Sequence, residues 1–343
     1  MFEVLPFLII VLAFVAAGLL TGILRRYALA SGLLDIPNSR SSHSVPTPRG
    51  GGMAIVLTVL AGSFCLWWLG ALTAAMLWVT FGAGGLVALV GWLDDRGHVA
   101  TCWRLLTHFM AAGSALVILG GLPPMPFFGT IMDLSWLGHG LAAVYLVWLL
   151  NLFNFMDGID GIASIEAITV CLGGVALYLF SSSHNSEWTL PLLLAAAVSG
   201  FLSWNFPKAK IFMGDAGSGF IGMVLGLLSI QAANVAPKLL WGWVILLGVF
   251  VVDATVTLLR RMLRRQRLHE AHRNHAYQYA ARKYNSHVVV SLVVGGVNVF
   301  WLLPLAVLVA LGWLDGFLGM LISYLPLVGL SIWYKSGVDS NSF

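Results

Sequence analysis

Charge is scarce in this sequence. Asp, Glu, Lys and Arg make up 9% of 343 residues, against roughly a quarter in a soluble domain. That shortage, with 59% hydrophobic residues and a mean hydropathy of +0.91, excludes an ordinary water-soluble fold. Cysteine is nearly absent as well. Cys65, Cys102 and Cys171 are scattered, which excludes a disulfide framework or a Cys-rich metal site. The short alternating segments of a membrane β-barrel are missing. There is no G-x-x-x-x-G-K-[ST] phosphate loop and no H-E-x-x-H zinc motif. No internal repeat appears, so the inverted-repeat pattern of many transporters is lacking.

What fills the chain is apolar runs long enough to span a bilayer. Backbone polar groups in lipid must be satisfied within their own segment, so these runs are expected to be helices. Eleven are expected, at 5–24, 51–70, 72–91, 105–121, 138–153, 162–181, 188–205, 218–236, 239–258, 288–311 and 313–333, the last two divided near Gly312. The fold class is therefore all-α and polytopic, a single integral membrane domain over 1–343. The first run is too long, and lacks the small-residue cleavage site, to read as a removed signal peptide.

The charges supply an orientation. When the loops are numbered alternately, all of the 18 Lys and Arg except Lys238 fall on one side. The positive-inside rule makes that side cytoplasmic, with the N-terminus outward, in the periplasm, and the C-terminus inward. The net charge of +4 is thus explained by topology and does not call for a nucleic-acid partner.

Six carboxylates stand at the ends of apolar runs, on that same side: Asp94, Asp95, Asp157, Asp160, Asp215 and Asp253. Ionisable groups at membrane depth are costly and mark functional sites. They fall in or beside the last four of five cytoplasmic segments, 25–50, 92–104, 154–161, 206–217 and 259–287, which are together expected to form one active site. The first carries Arg40, His43 and Arg49 ahead of Gly50–Gly52, suited to phosphate and close backbone approach; a solvated Pro/Ser/Gly linker is the equal alternative. The second, Gly91-Trp-Leu-Asp-Asp-Arg, pairs two acids that cannot both ionise cheaply without a shared cation. Arg104 follows at a helix start, a natural seat for an anion; helix-end charge pairing is the plainer reading. In the third, Asn151, Asn154 and Asp157 recur every three residues and form a polar stripe if the helix continues. An oxygen-rich set of this kind suits Mg²⁺, with Mn²⁺ as a substitute. In the fourth, Asp215 precedes a Gly-Ser-Gly helix opening whose free N–H groups favour phosphate, or which is a small-residue packing face. The fifth contains an arginine run that anchors to anionic lipid, then His272, Arg273 and His275, suited to a diphosphate or a sugar.

Taken in this order, the five motifs resemble the polyprenyl-phosphate N-acetylhexosamine-1-phosphate transferases, from about Asp35 to Gln278, with the finest match to Gram-negative O-antigen initiators. The resemblance implies a bacterial inner-membrane enzyme with its site facing the cytoplasm. It would transfer a HexNAc-1-phosphate (FucNAc, QuiNAc or GlcNAc type) from a UDP-sugar to undecaprenyl phosphate. It implies Asp94, Asp95 and Asp157 as catalytic-pocket acids and Asp215 with Asn154 as the metal pair. By the same resemblance Asp160, His272, Arg273 and His275 fall to the nucleotide-sugar and Arg104 to phosphate; the residues themselves add Asn151 to the first group and Arg40 and Arg49 to the second. Many relatives carry a third acid where this chain has His98, and His-Arg-Asn-His replaces the adjacent histidines of the muramoyl-pentapeptide enzymes, which argues against a peptide-bearing substrate. A homodimer is compatible with this reading, though no residue argues for it. The rival classes are a secondary transporter, whose acids would line a mid-membrane path, and a non-catalytic scaffold.

Overall fold

The computed structural model describes residues 4–37, 45–97, 99–181, 186–266 and 273–338. The chain is almost entirely helical, and each expected apolar run is helix. In chain order these are α1 (Val4–Ser31), α2 (Met53–Trp68), α3 (Ala74–Arg96), α4 (Thr101–Leu119), α5 (Ser135–Met156), α6 (Ile162–Phe180), α7 (Thr189–Asn205) and α8 (Asp215–Val235). They continue as α9 (Lys238–Leu246), α10 (Gly248–Leu263), the short α11 (Ala276–Tyr284), α12 (His287–Leu311) and α13 (Gly316–Trp333). Eight of them are long and apolar enough to cross a membrane among the described residues, or nine if the bent pair α9–α10 counts as one span. Two further apolar helices, α2 and α7, have 16 and 17 residues; at about 1.5 Å per residue each falls short of a ~30 Å hydrocarbon layer. The expected division at Gly312 is a left-handed helix end, φ 80°, a conformation glycine adopts without a side-chain penalty.

One expected helix is broken. The run 239–258 bends by 71° at Leu247. The Val244 carbonyl, which an unbroken helix would give to the Gly248 amide, accepts the Tyr324 hydroxyl at 2.6 Å. A side chain entering the ladder is a recognised cause of a kink.

Helix α8 is the axis of the molecule: 94% of its apolar window is buried, against 22% for α1. Small residues make this closeness feasible, as is usual where helices approach without a hydrophobic drive between them. A Cβ on Gly222 would lie 2.7 Å from the Leu149 carbonyl of α5, and one on Gly91 of α3 would lie 2.6 Å from the Asp215 backbone. Gly52 and Gly217 meet backbone to backbone, a Cβ on Gly52 falling 2.5 Å from Gly217 Cα.

The first loop is tied to the start of α8. Strands β1 (Leu34–Asp35) and β2 (Thr47–Pro48) pair antiparallel. Phe212 N–H then donates to Pro48 O at 2.8 Å, while Gly51 and Gly52 donate to Phe212 O and Met213 O at 2.9 and 2.8 Å. A second hairpin, β3 (Met125–Phe127) with β4 (Thr130–Met132), lies between α4 and α5.

Candidate active site

The site is assembled where α3 ends, α4 begins, α5 ends and α8 begins. Asp94 and Asp95 occupy the last turn of α3. The Asp94 carboxylate is held by Val99 N–H at 2.8 Å and by Arg104 of α4 in a short ion pair. Arg104 also reaches Asp215 Oδ2 at 3.6 Å. From α5, Asn154 donates to Asp215 Oδ1 at 2.8 Å and to Ser218 Oγ at 3.2 Å. Arg49 donates to the Asp95 backbone carbonyl. Asp94, Asp95, Arg104, Asn154, Asp215 and Arg49, far apart in sequence, are thus one network.

Asp95 behaves differently from its neighbour. It is 4% exposed and accepts the Asp215 and Ala216 amides at 3.2 and 3.4 Å. The expected free N–H groups at the start of α8 are therefore partly taken, by a carboxylate of the chain itself. Such a charge at a helix N-terminus is favourable. Gly214, at φ +78°, permits this approach; a Cβ there would lie 2.6 Å from the Asp95 carboxylate. Asp95 is a tie between α3 and α8, whereas Asp94 and Asp215 are the half-buried pair bridged by arginine.

The polar stripe of α5 reaches Asn154 and stops, because the helix ends at Met156 and Asp157 caps it. Asp157 lies near three other acids. Burial pushes its carboxyl up to about 7, with the charges of Asp215, Asp95 and Asp160 adding to the effect. Asn151 donates to Val147 O of its own helix at 2.7 Å.

Beyond Asp157 the floor turns towards α11 and α12. Asp160 Oδ2 sits 3.2 Å from His287 Nδ1. Both line a cavity of about 460 Å³ with Lys208, Arg273, Gln278 and Arg282. Arg273 thus lines the same cavity as Asp160. His275 is not open to this space: it is 4% exposed and faces Asp253 Oδ1 at 3.6 Å. Asp253 stands apart from the other five acids. It caps α11, accepting Ala276 and Tyr277 N–H at 2.9 and 3.1 Å and Ser336 Oγ–H at 3.3 Å. Arg40, His43, His98 and His272 lie outside the described residues.

Sequence reasoning missed Ser218, Lys208, Gln278, Arg282 and His287. Ser218, three residues after Asp215 at a helix start, carried a usable signal; the others are single polar residues whose meaning depends on distant partners.

Do these residues fit a metal? Among the described residues no three His, Cys, Asp or Glu side chains converge to enclose an ion. Mg²⁺ does not need that, since it binds through one or two protein oxygens and completes its shell with phosphate and water. Asn154, with its amide hydrogens committed to Asp215 and Ser218, leaves its carbonyl oxygen beside a half-buried carboxylate. Acids outnumber cations here. The donor set is hard oxygen throughout, and fits.

A polytopic, all-helical membrane protein with an acid- and arginine-lined site at helix ends is the class these features define. Residues 77–233 match the family described as glycosyl transferase family 4, a stretch that includes Asp94, Asp95, Arg104, Asn154, Asp157, Asp160 and Asp215. The Bacillus subtilis (strain 168) protein named "Probable undecaprenyl-phosphate N-acetylglucosaminyl 1-phosphate transferase" is 29% identical over 279 residues, 78% of this chain and 76% of that protein. A decaprenyl-phosphate N-acetylglucosaminephosphotransferase of Mycolicibacterium smegmatis is 32% identical over 70% of this chain and 65% of its own length. An undecaprenyl-phosphate alpha-N-acetylglucosaminyl 1-phosphate transferase of Thermotoga maritima is 28% identical over 62% of this chain and 61% of its own length. Over these stretches the chain is similar to glycosyl transferase family 4 and to phosphosugar transferases that act on polyprenyl phosphates.

Proposed function

We propose that the chain transfers a HexNAc-1-phosphate from a UDP-N-acetylhexosamine to undecaprenyl phosphate, releasing UMP, at the cytoplasmic face of a bacterial inner membrane. The product would begin an O-antigen of lipopolysaccharide, with a sugar of FucNAc, QuiNAc or GlcNAc type. The observation that carries the reading is the chain of contacts Asn154–Asp215–Arg104–Asp94, drawn from four helix ends to one point. The polyprenyl-phosphate phosphosugar transferases among the relatives support the same chemistry. A transporter is less well served, since the acids gather at helix ends instead of along a path.

A phosphate oxygen of the lipid attacks the β-phosphorus of the donor, the bond from that phosphorus to the bridging oxygen breaks, and UMP departs with that oxygen. Such transfers need positioning and charge neutralisation more than covalent help. Asp215 and Asn154 would hold Mg²⁺, which supplies charge neutralisation on the diphosphate. Arg104, fixed between Asp94 and Asp215, stands where it can offset the charge of two anionic substrates. Asp94 orients Arg104, and Asp95 fixes the start of α8 so that Asp215 keeps its place. Asp157, close to neutral pH in its titration, adds little negative charge to the pocket when protonated. Arg273 beside Asp160 receives the nucleotide-sugar.

Purified protein given undecaprenyl phosphate, Mg²⁺ and a panel of UDP-HexNAc donors should release UMP and yield a lipid product heavier by one HexNAc phosphate, read by mass spectrometry. Omitting either the lipid or the cation should abolish release. UMP formation indifferent to the lipid, or none with any donor, would sink the proposal.

A further inference from the structure

α11 has only nine residues. Isolated helices shorter than about 12 residues are marginal, so the place of α11 is set by what it is tied to. Arg273, Gln278, Ala281 and Arg282, from α11 and the residues that lead into it, form one wall of the cavity of about 460 Å³. That wall therefore depends on ties made elsewhere. Asp253 of α10 supplies one, by accepting the Ala276 and Tyr277 amides. A second lies within the element itself, where Arg282 donates to the Arg273 carbonyl at 3.1 Å.

The turn after α13 supplies more. The Ser336 amide donates back to Ser331 O and the Lys335 amide to Ile332 O, both at 3.0 Å, with Lys335 in the left-handed region at φ 56°. Two such back-bonds close a helix end and redirect the chain. Here they send Ser336 and Gly337 across the end of α10 to the segment before α11. The Gly337 amide donates to Asn274 O at 2.7 Å, between Arg273 and His275. Ser336 is fully buried, and its hydroxyl donates at 3.3 Å to Asp253 Oδ1, the oxygen that also takes the Ala276 amide. Gly337 stands at φ +73°, and a Cβ on it would lie 2.9 Å from Thr257 O and from Arg260 Cβ of α10. Tyr334 meets the far end of α11. Its hydroxyl lies 3.0 Å from that of Tyr284, and Lys283 Nζ lies 5.6 Å from its ring centre. α11 is thus gripped at both ends by the turn 334–337.

We propose that the turn 334–337 is a clasp that sets the Arg273 wall of this cavity, with Ser336 and Gly337 as positioning residues for the sugar-nucleotide donor. This rests on the function proposed above. Neither Ser336 nor Gly337 lines the cavity, so they reach the donor only through Arg273 and α11. A clasp that merely added stability would, when broken, leave fewer folded molecules: turnover per mole of protein would fall and neither KM would move. A clasp that sets Arg273 shifts the donor KM instead. Valine at position 337 would strain the backbone, since a β-branched residue resists positive φ, and would press on α10. Gly337→Val should therefore raise the KM for the UDP-HexNAc donor about tenfold, with kcat and the KM for undecaprenyl phosphate within about twofold of wild type. Ser336→Ala, which removes one hydrogen bond, should raise the donor KM about threefold.

The test uses the full chain in detergent with Mg²⁺, and the variants Ser336→Ala, Gly337→Val and the double Ser336→Ala/Gly337→Val. Ser336→Ala is the milder change and decides the matter if Gly337→Val does not fold. The double variant should be little worse than Gly337→Val alone, because both changes open one clasp. Hydrogen exchange gives a second readout: amides of 276–284 should lose protection in the variants while those of α8 keep theirs. A donor KM unchanged in Ser336→Ala, a fall in kcat with both KM values intact, or an equal rise in the KM of donor and lipid would each overturn the inference. Wild-type turnover in the same assays would leave the proposed function standing. Wild-type protein that releases no UMP from any donor would remove the function and the inference together.

Discussion

At the scale of single residues, the pocket gathers acids that electrostatics would keep apart. Asp157 shows the cost. An ordinary aspartate titrates near 3.8, and this one is pushed up to about 7 by burial and by its acidic neighbours. Between those values the folded chain binds a proton that the unfolded chain does not, so stability falls as pH rises from about 4 and the full loss is reached above about 7. Asp157→Asn removes the ionisation. In cation-free detergent it should raise the unfolding temperature at pH 8 by about 2–4 °C or more, with the gap closing as pH is lowered towards 4. Thermal unfolding followed across pH checks this; a variant less stable than wild type at pH 8 would show that the carboxylate is satisfied, not strained. Added Mg²⁺ should narrow the gap at pH 8 by offsetting the clustered charge. Much of this pocket was legible in the sequence because acids are conspicuous among apolar residues. What each acid does was not. Adjacent Asp94 and Asp95 look alike in sequence, yet one meets Arg104 and the other two amides of α8. Their roles diverge because neighbouring residues on a helix point about 100° apart, a distinction that has meaning only once the surrounding helices are placed.

At the scale of elements, the site is only as accurate as the packing of α8 against α2 and α3. Gly91 and Gly52 are the contact points, and both face backbone, which cannot swing aside. Gly91→Ala and Gly52→Ala each place a methyl group about 2.5 Å from backbone atoms of α8. Overpacking of this kind typically costs about 1–3 kcal/mol, and here the yielding element carries Asp215. Both variants should lose most UMP release along with thermal stability. Gly113→Ala on α4 is the matched control, since nothing lies within 4 Å of its added Cβ; it should be neutral or slightly stabilising, as expected of alanine in a helix. If Gly91→Ala kept full activity, the close crossing of α3 and α8 would have no part in setting Asp215. The existence of these helices could be read from apolar run length, and their ends from glycine and polar residues. The bend at Leu247 could not, because it depends on Tyr324, whose hydroxyl takes the carbonyl of Val244, 80 residues earlier in the chain. The cavity beside Asp160 escaped for the same reason: its walls come from 160, 207–208, 273–282 and 285–288, and no local pattern announces their meeting.

At the scale of the whole molecule, the same arrangement has to satisfy lipid and water together. The basic residues at the inner ends of the helices and the acids of the site share one edge of the bundle in the proposed orientation. Under the proposed function two substrates bearing phosphate reach that edge, one from the cytosol and one from the bilayer leaflet, so the site would belong at the boundary between them. That constraint makes orientation a functional property. It predicts that the β3–β4 hairpin lies outside the inner membrane and the end of α10 inside. Ile131 and Leu263 are 76% and 80% exposed in these two places. In a background with Cys65, Cys102 and Cys171 replaced, a membrane-impermeant maleimide applied to cells with a permeabilised outer membrane should label Ile131→Cys and spare Leu263→Cys until the inner membrane is opened. The reverse pattern would put the acids in the periplasm, away from any cytosolic nucleotide-sugar. Labelling of both positions in sealed cells would mean that the number of crossings between α5 and α10 is even where an odd number is required, and the single-sided site would lose its basis.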